Sequence, residues 1–203
     1  MYHRAVPKIT ESQREARRRA FLAAALECLR NQSYRDVTVD TICALAGTSK
    51  GSFYLYFASK KELLLALLDE QAAAFEQQIG RLERRSDSSA AFLRAFAHSQ
   101  FRRVRDPANV QLHADLWGLA ATEPDIGARL AEVNARQRTL LAGWIERSIE
   151  QGAIPLDPAL AHAFAAALLA LTEGLVVHRS LDPAAFHWTR IGTLLDTALT
   201  AIE

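Results

Sequence analysis

The chain of 203 residues has few of the residues on which disulfide frameworks, zinc sites and β-sheets depend. It contains 2 cysteines, 9 glycines and 6 prolines, and no long stretch alternates apolar with polar residues as a half-buried strand does. Cys28 and Cys43 form no CxxC pair, and no Cys/His cluster has zinc-ligand spacing, so we expect no metal site. Both lie on apolar helix faces, which predicts buried thiols in a reducing cytoplasm. A redox switch between them is the alternative.

The sequence also lacks the motifs of common enzymes. Its 6 histidines are scattered, and it contains no HExxH, no GxSxG and no phosphate-binding loop. His113 and Asp115 are two positions apart and would point to different sides of a helix. We therefore expect neither enzymatic activity nor a cofactor.

Long uninterrupted apolar runs are missing as well. The N-terminus carries charges but no apolar segment typical of a signal peptide. The most apolar stretch, residues 159–177, contains His162, Thr172 and Glu173. These polar residues favour a buried helix over a membrane span, and we expect a cytoplasmic protein without a membrane partner.

Alanine and leucine dominate the residues that are present. Half of the chain is hydrophobic, and the apolar residues recur at helical spacing, which predicts an all-α protein of about nine helices. Residues 1–61 hold 11 Lys and Arg against 5 Asp and Glu, whereas residues 62–203 hold 13 against 18. A basic N-terminal part on an acidic body is typical of a DNA-binding head on a regulatory domain. A chance fluctuation in the distribution of charge along the chain is the alternative.

The most informative segment starts at Thr38 and reads TVDTICALAGTSKGSFYLYFASKKE. Thr38 fits a helix N-cap, and Gly47 ends that helix in the left-handed conformation that glycine adopts readily. Ser49 fits the cap of a second helix. Phe53 and Phe57 are four residues apart, and we expect both to point inward. This layout predicts a helix-turn-helix, whose second helix enters the major groove of DNA.

The outward side of the second helix has residues suited to DNA. They are Lys50, Gly51, Ser52, Tyr54 and Tyr56. Lysine, hydroxyl and tyrosine groups contact phosphates and base edges, and glycine lets the backbone come close to the duplex. In isolation, either tyrosine fits a packed core position equally well.

The segment Ser59-Lys60-Lys61-Glu62 predicts a capping box that begins a further helix. Two cations in a first helical turn are unfavourable against the helix dipole. We interpret them as a sign of an external anion, for which DNA phosphate is suitable. A solvated helix face is the alternative.

The segment AGTSKGSFYLYFASKKELL resembles the TetR (tetracycline repressor) family of transcriptional regulators, and the resemblance runs from about residue 18 to residue 68. It implies a three-helix DNA-binding domain at residues 1–58 and a helical ligand-binding and dimerisation domain at residues 59–203. The residues that it implies for DNA binding are Thr38, Thr48, Ser49, Lys50, Gly51, Ser52, Tyr54, Leu55, Tyr56 and Lys60. Ser52 and Phe53 stand where the family usually has Thr and Leu.

Residues 1–10 show no helical pattern and are expected to form a flexible arm. Arg4 and Lys8 suit contact with a minor groove, and a disordered tail is the alternative. Beyond the arm, the expected helices cover residues 11–31, 38–46, 49–57, 60–82, 90–105, 107–121, 124–151, 158–180 and a last one from residue 183.

The last two helices have the features of an interface. Asp157-Pro158 and Asp182-Pro183 each predict a cap followed by proline at the first helical position. The short connection between the helices predicts an antiparallel hairpin. Small residues allow another helix to approach closely: Ala163, Ala166, Ala167 and Ala170. The resemblance implies a homodimer through these helices, and an ordinary intrachain core is the alternative.

Apolar and aromatic side chains of the middle helices predict a pocket for a small, largely apolar effector. The residues that we expect to bind it are Trp117, His113, Phe96, Leu116, Trp144, Gln137 and Glu173. Trp117 and His113 are four apart and share a helix face. For each polar member, a surface or capping role is the alternative.

Together these patterns predict a homodimeric repressor that binds a palindromic operator on double-stranded DNA and is released by its effector. A transcriptional activator of the same fold is one alternative. A helical scaffold protein without DNA function is the other.

Overall fold

A computed structural model of the chain describes residues 10–200, which form helices joined by short turns. In chain order the helices are α1 (Glu11–Asn31), α2 (Val39–Leu45), α3 (Lys50–Phe53), α4 (Lys60–Arg85), α5 (Ser89–Arg105), α6 (Pro107–Thr122), α7 (Pro124–Glu150), α8 (Ala161–Leu181) and α9 (Trp188–Thr200). No strand occurs in this part of the chain. The prediction of an all-α protein with about nine helices is confirmed.

The chain forms two compact units, one ending at Leu67 and the other beginning at Leu68. The domain boundary after residue 58 stays a prediction. The expected contacts of Arg4 and Lys8 lie outside the described residues.

Side-chain caps define the helix starts of the first unit. The Thr10 hydroxyl accepts a hydrogen bond from Gln13 N, and Gln13 Oε1 accepts one from Thr10 N, which completes a capping box at α1. Thr38 and Ser49 cap α2 and α3 through the backbone N–H three residues later. The caps predicted at Thr38 and Ser49 are therefore confirmed.

An aromatic cluster forms the core of the first unit. The Phe21 ring meets the Phe53 ring edge-on at 5.4 Å between centroids and the Phe57 ring at 6.2 Å. All three side chains are buried, and such edge-to-face contacts add to the effect of burial. The inward orientation predicted for Phe53 and Phe57 is confirmed. Cys28 and Cys43 are buried free thiols, and burial raises the pKa of both.

Stacked aromatic rings mark the core of the second unit. Phe92 and Trp144 stack with their centroids 3.8 Å apart, and Phe96 lies 6.3 Å from Phe92. Around this core, α7 packs against α6 and α8, while α5 packs against α6, α8 and α9.

Aspartate side chains cap the helical segments that follow them. Asp106 caps α6, whereas Asp157 and Asp182 cap 3₁₀ turns that precede α8 and α9. The last helix begins at Trp188 and not at residue 183, because an aspartate-proline pair starts a 3₁₀ turn as readily as an α-helix. The predicted start of α9 was therefore wrong.

The packing of α9 also differs from the prediction. α9 packs against α5, and the expected hairpin of α8 with α9 is not among the main helix pairs of residues 10–200. His98 Nε2 lies 2.8 Å from Asp196 Oδ1, and the Phe101 and Trp188 rings are 5.4 Å apart. These contacts hold α9 on α5, and its first residue, Trp188, also contacts α8, where the Arg179 guanidinium lies 4.9 Å from the Trp188 ring centroid.

α8 is more exposed than the sequence predicts. Among residues 10–200, one helical stretch, Pro158–Leu181, is long and apolar enough to cross a membrane. Only 17% of its most apolar 18 residues are buried. Leu171 and Leu181 are 57% and 77% exposed. The prediction of a buried helix is wrong for the single chain, because α8 packs against α5, α6 and α7 and leaves an apolar side uncovered.

Candidate functional sites

The turn between α2 and α3 depends on one left-handed residue and one cap. Gly47 has a φ of 63°, the left-handed conformation that favours glycine. Ser49 then begins α3, and its hydroxyl accepts a hydrogen bond from Ser52 N at 3.2 Å. Since α2 and α3 also pack together, the segment has the helix-turn-helix geometry that the sequence predicts.

Buried and exposed residues alternate within the short helix α3 and the turn that follows it. Phe53 is fully buried, whereas Tyr54 and Leu55 are 52% and 71% exposed. Lys50 and Gly51 are exposed as well. The phenylalanine anchors the segment in the core, and its neighbours remain accessible from outside.

Two of the predicted contact residues also have structural partners. Tyr56 is half-buried, and its ring lies 5.7 Å from the Phe21 ring. Thr48 Oγ1 accepts a hydrogen bond from Arg17 of α1 at 3.5 Å. Contact with DNA by Tyr56 and Thr48 stays a prediction, and both residues also stabilise the first unit.

Lys50 pairs with a carboxylate that sequence reasoning did not single out. Its Nζ donates to Asp40 Oδ2 at 3.0 Å, and both side chains are exposed. The hydrogen bond to Asp40 and the charge of Asp40 raise the pKa of Lys50. An exposed ion pair contributes little to stability, so Lys50 can exchange Asp40 for another anion. No local spacing in the sequence indicates this pair, because the two residues belong to different helices.

Lys60 is held within the first unit. Its Nζ donates to the carbonyl oxygens of Tyr34 at 2.7 Å and Val37 at 2.6 Å, and lies 4.2 Å from the Tyr34 ring centroid. Burial lowers the pKa of Lys60, and the charge of Asp36 opposes this shift. These carbonyls give the Lys60 ammonium partners within the first unit, so its place in the first turn of α4 does not by itself require the external anion that we inferred. Its contact with DNA phosphate stays a prediction.

Gly51 has space around it in the fold. A Cβ atom added there would meet only Ser49 Oγ, at 4.0 Å. The fold itself therefore does not require glycine at this position, and the exposed backbone there is open to a neighbouring molecule.

A second group of side chains meets around Glu173 in α8. Trp117 Nε1 donates to Glu173 Oε2 at 3.3 Å, and His113 Nδ1 lies 3.2 Å from the same oxygen. Burial alone would raise the pKa of Glu173, but the hydrogen bonds of His113 and Trp117 and the charges of His113 and Arg103 lower it below its usual 4.5. The carboxylate is therefore ionised near neutral pH.

Two residues of α5 complete this group, and sequence reasoning missed them. Gln100 is 5% exposed, and its Oε1 lies 3.5 Å from Arg103 Nη1. Burial lowers the pKa of the Arg103 guanidinium, and the charge of Glu173 opposes that shift. Gln100 and Arg103 follow Phe92 and Phe96 at helical spacing, and this continuation of a buried stripe by polar residues was the available signal. We call His113, Trp117, Glu173, Gln100 and Arg103 the Glu173 cluster.

The other expected ligand residues lie apart from the cluster's polar contacts. Phe96 and Trp144 pack in the hydrophobic core of the second unit. Leu116 is buried in α6, and Gln137 is half-buried in α7. A role in ligand binding for these four residues stays a prediction. Within residues 10–200, no group of three or more His, Cys, Asp or Glu side chains is placed to hold a metal ion.

Known proteins resemble this chain in sequence. Residues 21–67 match the family described as bacterial regulatory proteins, tetR family, and residues 85–202 match the C-terminal region of BetI-type transcriptional repressors. The HTH-type transcriptional regulator YwcC of Bacillus subtilis (strain 168) is 36% identical over 90 residues, which are 43% of this chain and 40% of YwcC. The chain thus aligns with less than half the length of that relative.

Solved structures share the fold over nearly the whole chain. A putative transcriptional regulator from Pseudomonas aeruginosa PAO1 has a TM-score of 0.72 and 23% identity, covering 97% of this chain and 94% of that one. The regulator FadR of Bacillus subtilis, in complex with stearoyl-CoA, has a TM-score of 0.71 and 19% identity, covering 91% and 96%. At these identities the likeness shows the fold alone.

The family matches cover both the helix-turn-helix and the helices that follow it. The second match alone spans more than half of the chain, from residue 85 to residue 202. This protein therefore belongs to the tetR family of bacterial regulatory proteins.

Proposed function

We propose that the protein is a cytoplasmic, ligand-responsive transcriptional repressor that binds a palindromic operator as a homodimer. Residues 1–58 bind DNA, and residues 59–203 bind the effector and the second copy. The observation that carries the proposal is the exposed row of Lys50, Gly51, Tyr54 and Leu55 around the buried Phe53.

The chemistry of the predicted contact residues defines their contacts with DNA. Hydroxyls and ammonium groups contact phosphates and base edges, and this group comprises Thr38, Thr48, Ser49, Lys50, Ser52, Tyr54, Tyr56 and Lys60. Gly51 allows close approach of the backbone. Leu55 contacts a thymine methyl in the major groove.

The exposed side of α8 supports the dimer. Residues at helical spacing form one apolar face: Ala163, Ala167, Ala170, Leu171, Val177 and Leu181. A contiguous exposed apolar face marks an interaction site in a soluble protein. A second copy covers this face, and twofold symmetry then places two helix-turn-helix units on two half-sites about one helical turn apart.

The Glu173 cluster supports effector binding in the second unit. It combines charged, polar and aromatic groups from α5, α6 and α8. FadR, which has the same fold, is known in complex with stearoyl-CoA, in line with a small-molecule ligand here. The effector favours a conformation in which the two DNA-binding units no longer match the operator, with a coupling of about 1–3 kcal/mol.

Selection of bound sequences from a random DNA pool tests the proposal. We expect a palindrome whose affinity falls steeply as salt concentration rises. Lys50→Ala and Tyr54→Ala should each weaken binding about tenfold or more, while Arg138→Ala, exposed in α7, should bind like the parent. Recovery of no preferred sequence would contradict the proposed function, and parental affinity of both variants would contradict the assigned contacts.

A further inference from the structure

Three consecutive arginines of α1 have different surroundings. The Arg18 guanidinium lies 5.7 Å from the Phe57 ring centroid, and Arg19 Nε pairs with Glu15 Oε1 at 3.0 Å. Arg17 is exposed, and the one hydrogen bond that its side chain makes within residues 10–200 goes to a neutral group. Among the three, Arg17 is therefore the one whose charge lacks an anionic or aromatic partner in this part of the chain.

The neutral partner of Arg17 belongs to the turn that leads into α3. Arg17 Nη1 donates to Thr48 Oγ1 at 3.5 Å, which is longer than a typical hydrogen bond. A guanidinium has further N–H donors in a planar fork, and a hydroxyl that accepts one hydrogen bond can still donate another. Arg17 and Thr48 therefore offer donors from two separate elements, close together in the first unit.

The position of this pair suits the edge of a major groove. A helix with its side chains is about 10–12 Å in diameter, and the major groove of B-DNA is about 12 Å wide. A segment that enters the groove fills it, so residues beside that segment face the phosphates along the rim. Thr48 directly precedes Ser49, the cap of α3, which puts Arg17 beside the segment that is proposed to enter the groove.

The two lysines among the proposed DNA contacts already have stronger partners than Arg17. Lys50 pairs with the carboxylate of Asp40, and Lys60 donates to two backbone carbonyls. A phosphate competes with these partners for either ammonium group. Arg17 gives up only a long bond to a hydroxyl, and its guanidinium matches two phosphate oxygens with parallel N–H groups. Arg17 is therefore well suited to bind a phosphate from outside the first unit.

We propose that Arg17 and Thr48 together bind one phosphate of the operator backbone, Arg17 through its guanidinium and Thr48 through its hydroxyl. A phosphate contact fixes the position of a protein on the duplex without reading the base sequence. The inference rests on the proposed function, and it adds a residue of α1 to a set of DNA contacts that otherwise begins at Thr38.

Titrations of operator at several salt concentrations test the role of Arg17. Arg17→Ala should weaken binding about tenfold or more and should reduce the slope of log affinity against log salt by about two, because each copy in the dimer loses one phosphate contact. Binding to DNA of unrelated sequence should weaken by a similar factor, since a phosphate contact is independent of sequence. Parental affinity and salt slope of Arg17→Ala would overturn the inference.

Arg19→Ala is the matched control for Arg17→Ala. It removes the same charge two residues further along α1, from a side chain that pairs with Glu15. We expect parental operator affinity and a parental salt slope. Equal losses in Arg17→Ala and Arg19→Ala would indicate a general effect of charge and would overturn the assigned contact.

Arg17→Gln separates phosphate binding from a structural role. Glutamine retains N–H groups that can donate to Thr48 but carries no charge, so this variant should bind operator as weakly as Arg17→Ala. Arg17→Lys retains the charge and should restore the salt slope, with only part of the affinity because an ammonium lacks the planar fork. Parental binding by Arg17→Gln would mean that Arg17 only supports the turn before α3, and would overturn the inference.

Operators in which one phosphate at a time is replaced by an uncharged methylphosphonate locate the contact. At one symmetry-related pair of positions the parent should lose affinity and Arg17→Ala should lose none, because the two changes remove the same interaction. Equal losses by both proteins at every position would overturn the inference and leave operator binding intact. A parent that selects no operator from random DNA would instead overturn the proposed function, and this inference with it.

Discussion

Gly51 lies in α3 at a position where the fold tolerates a side chain, since a Cβ atom would meet only Ser49 Oγ at 4.0 Å. Gly51→Ala should therefore fold with equal or greater stability, by up to about 1 kcal/mol from helix propensity. It should bind operator about tenfold more weakly, because base-edge and backbone contacts of this size are worth about 1–3 kcal/mol. Thermal unfolding and fluorescence anisotropy with labelled operator measure the two quantities.

Gly47→Ala is the control for Gly51→Ala, because it should lower the stability of the fold. With φ at 63°, the alanine would cost about 1–2 kcal/mol of stability. Unchanged operator affinity of Gly51→Ala would show that the DNA backbone does not approach this residue closely.

Asp40 places a negative charge beside Lys50, 3.0 Å from its ammonium. The exposed pair adds little stability, and the carboxylate repels nearby phosphates. Asp40→Asn should leave the melting temperature nearly unchanged, raise operator affinity several-fold and steepen its dependence on salt. Titrations of operator at several salt concentrations measure this. Asp87→Asn, at an exposed position before α5, makes the same change of charge elsewhere and should leave operator affinity unchanged. Lower operator affinity of Asp40→Asn would contradict the prediction and would mean that Asp40 positions Lys50 for DNA.

Glu173 links stability to pH through its lowered pKa. Since the unfolded chain binds the proton more tightly, the stabilising contribution is complete above the usual pKa of 4.5 and is lost as pH falls through the lower folded value. Glu173→Gln should therefore flatten the loss of stability below pH 4.5, as measured by urea unfolding across pH. Glu150→Gln, exposed at the end of α7, serves as the control. An unchanged acid profile of Glu173→Gln would contradict the pairing with His113 and Trp117.

At the scale of helices, the backbones of α6 and α7 come close together at Gly127. A Cβ atom on Gly127 would lie 2.8 Å from the carbonyl oxygen of Ala120, which is backbone and cannot move away cheaply. Gly127→Ala should destabilise the protein by about 1–3 kcal/mol. Gly118→Ala in α6 meets nothing within 4 Å and should stabilise by up to about 1 kcal/mol. Urea unfolding measures both, and equal stability of the two variants would contradict the close approach.

Three ion pairs lie between α4 and α7, beside the buried core that both helices share. Arg129 pairs with Asp69 at 3.1 Å and Arg147 with Glu83 at 2.8 Å, and Arg136 pairs with Glu76 between them. The three acidic residues recur every seven positions of α4, so they share one side of that helix. The sequence shows this seven-residue spacing, but it does not indicate which helix supplies the arginine partners.

The helices themselves were largely predictable because their ends carry local chemistry. Asp106 followed by proline and Gly152 after α7 gave boundaries that the structure reproduces within a few residues. The start of α9 was missed because the same local chemistry at Asp182 serves a 3₁₀ turn. The position of α9 on α5 depends on His98 and Trp188, which are distant in sequence.

The candidate sites were predictable to different degrees, because some of their features depend on local spacing and others on contacts between residues distant in sequence. The predicted contact residues follow from spacing within one helical turn, and the exposure of Lys50 and Tyr54 agrees with the prediction. The prediction that Tyr54 and Tyr56 lie on the second helix was wrong, because α3 ends at Phe53 and both residues lie in the turn after it. The partners of Lys60 are backbone carbonyl oxygens of the loop before α2. Every residue has such a carbonyl, so the sequence does not indicate which ones accept a hydrogen bond. Gln100 and Arg103 resemble ordinary polar helix residues until their burial is known.

At the scale of the whole molecule, the apolar side of α8 gives a test of assembly. Leu171 is 57% exposed near the middle of that side, and a glutamate there would bring two like charges to the proposed twofold interface, from which water is excluded. Leu171→Glu should be a folded monomer by sedimentation equilibrium, with helical content like the parent. Operator binding should weaken strongly, because one unit then reads one half-site.

Ala73→Glu provides the matched control for Leu171→Glu, since it introduces the same charge at an exposed position of α4. It should remain dimeric and bind operator like the parent. A parent that sediments as a monomer would remove the dimer from the proposal. A dimeric Leu171→Glu variant would move the interface away from α8, and the exposed leucines of that helix would then need another partner.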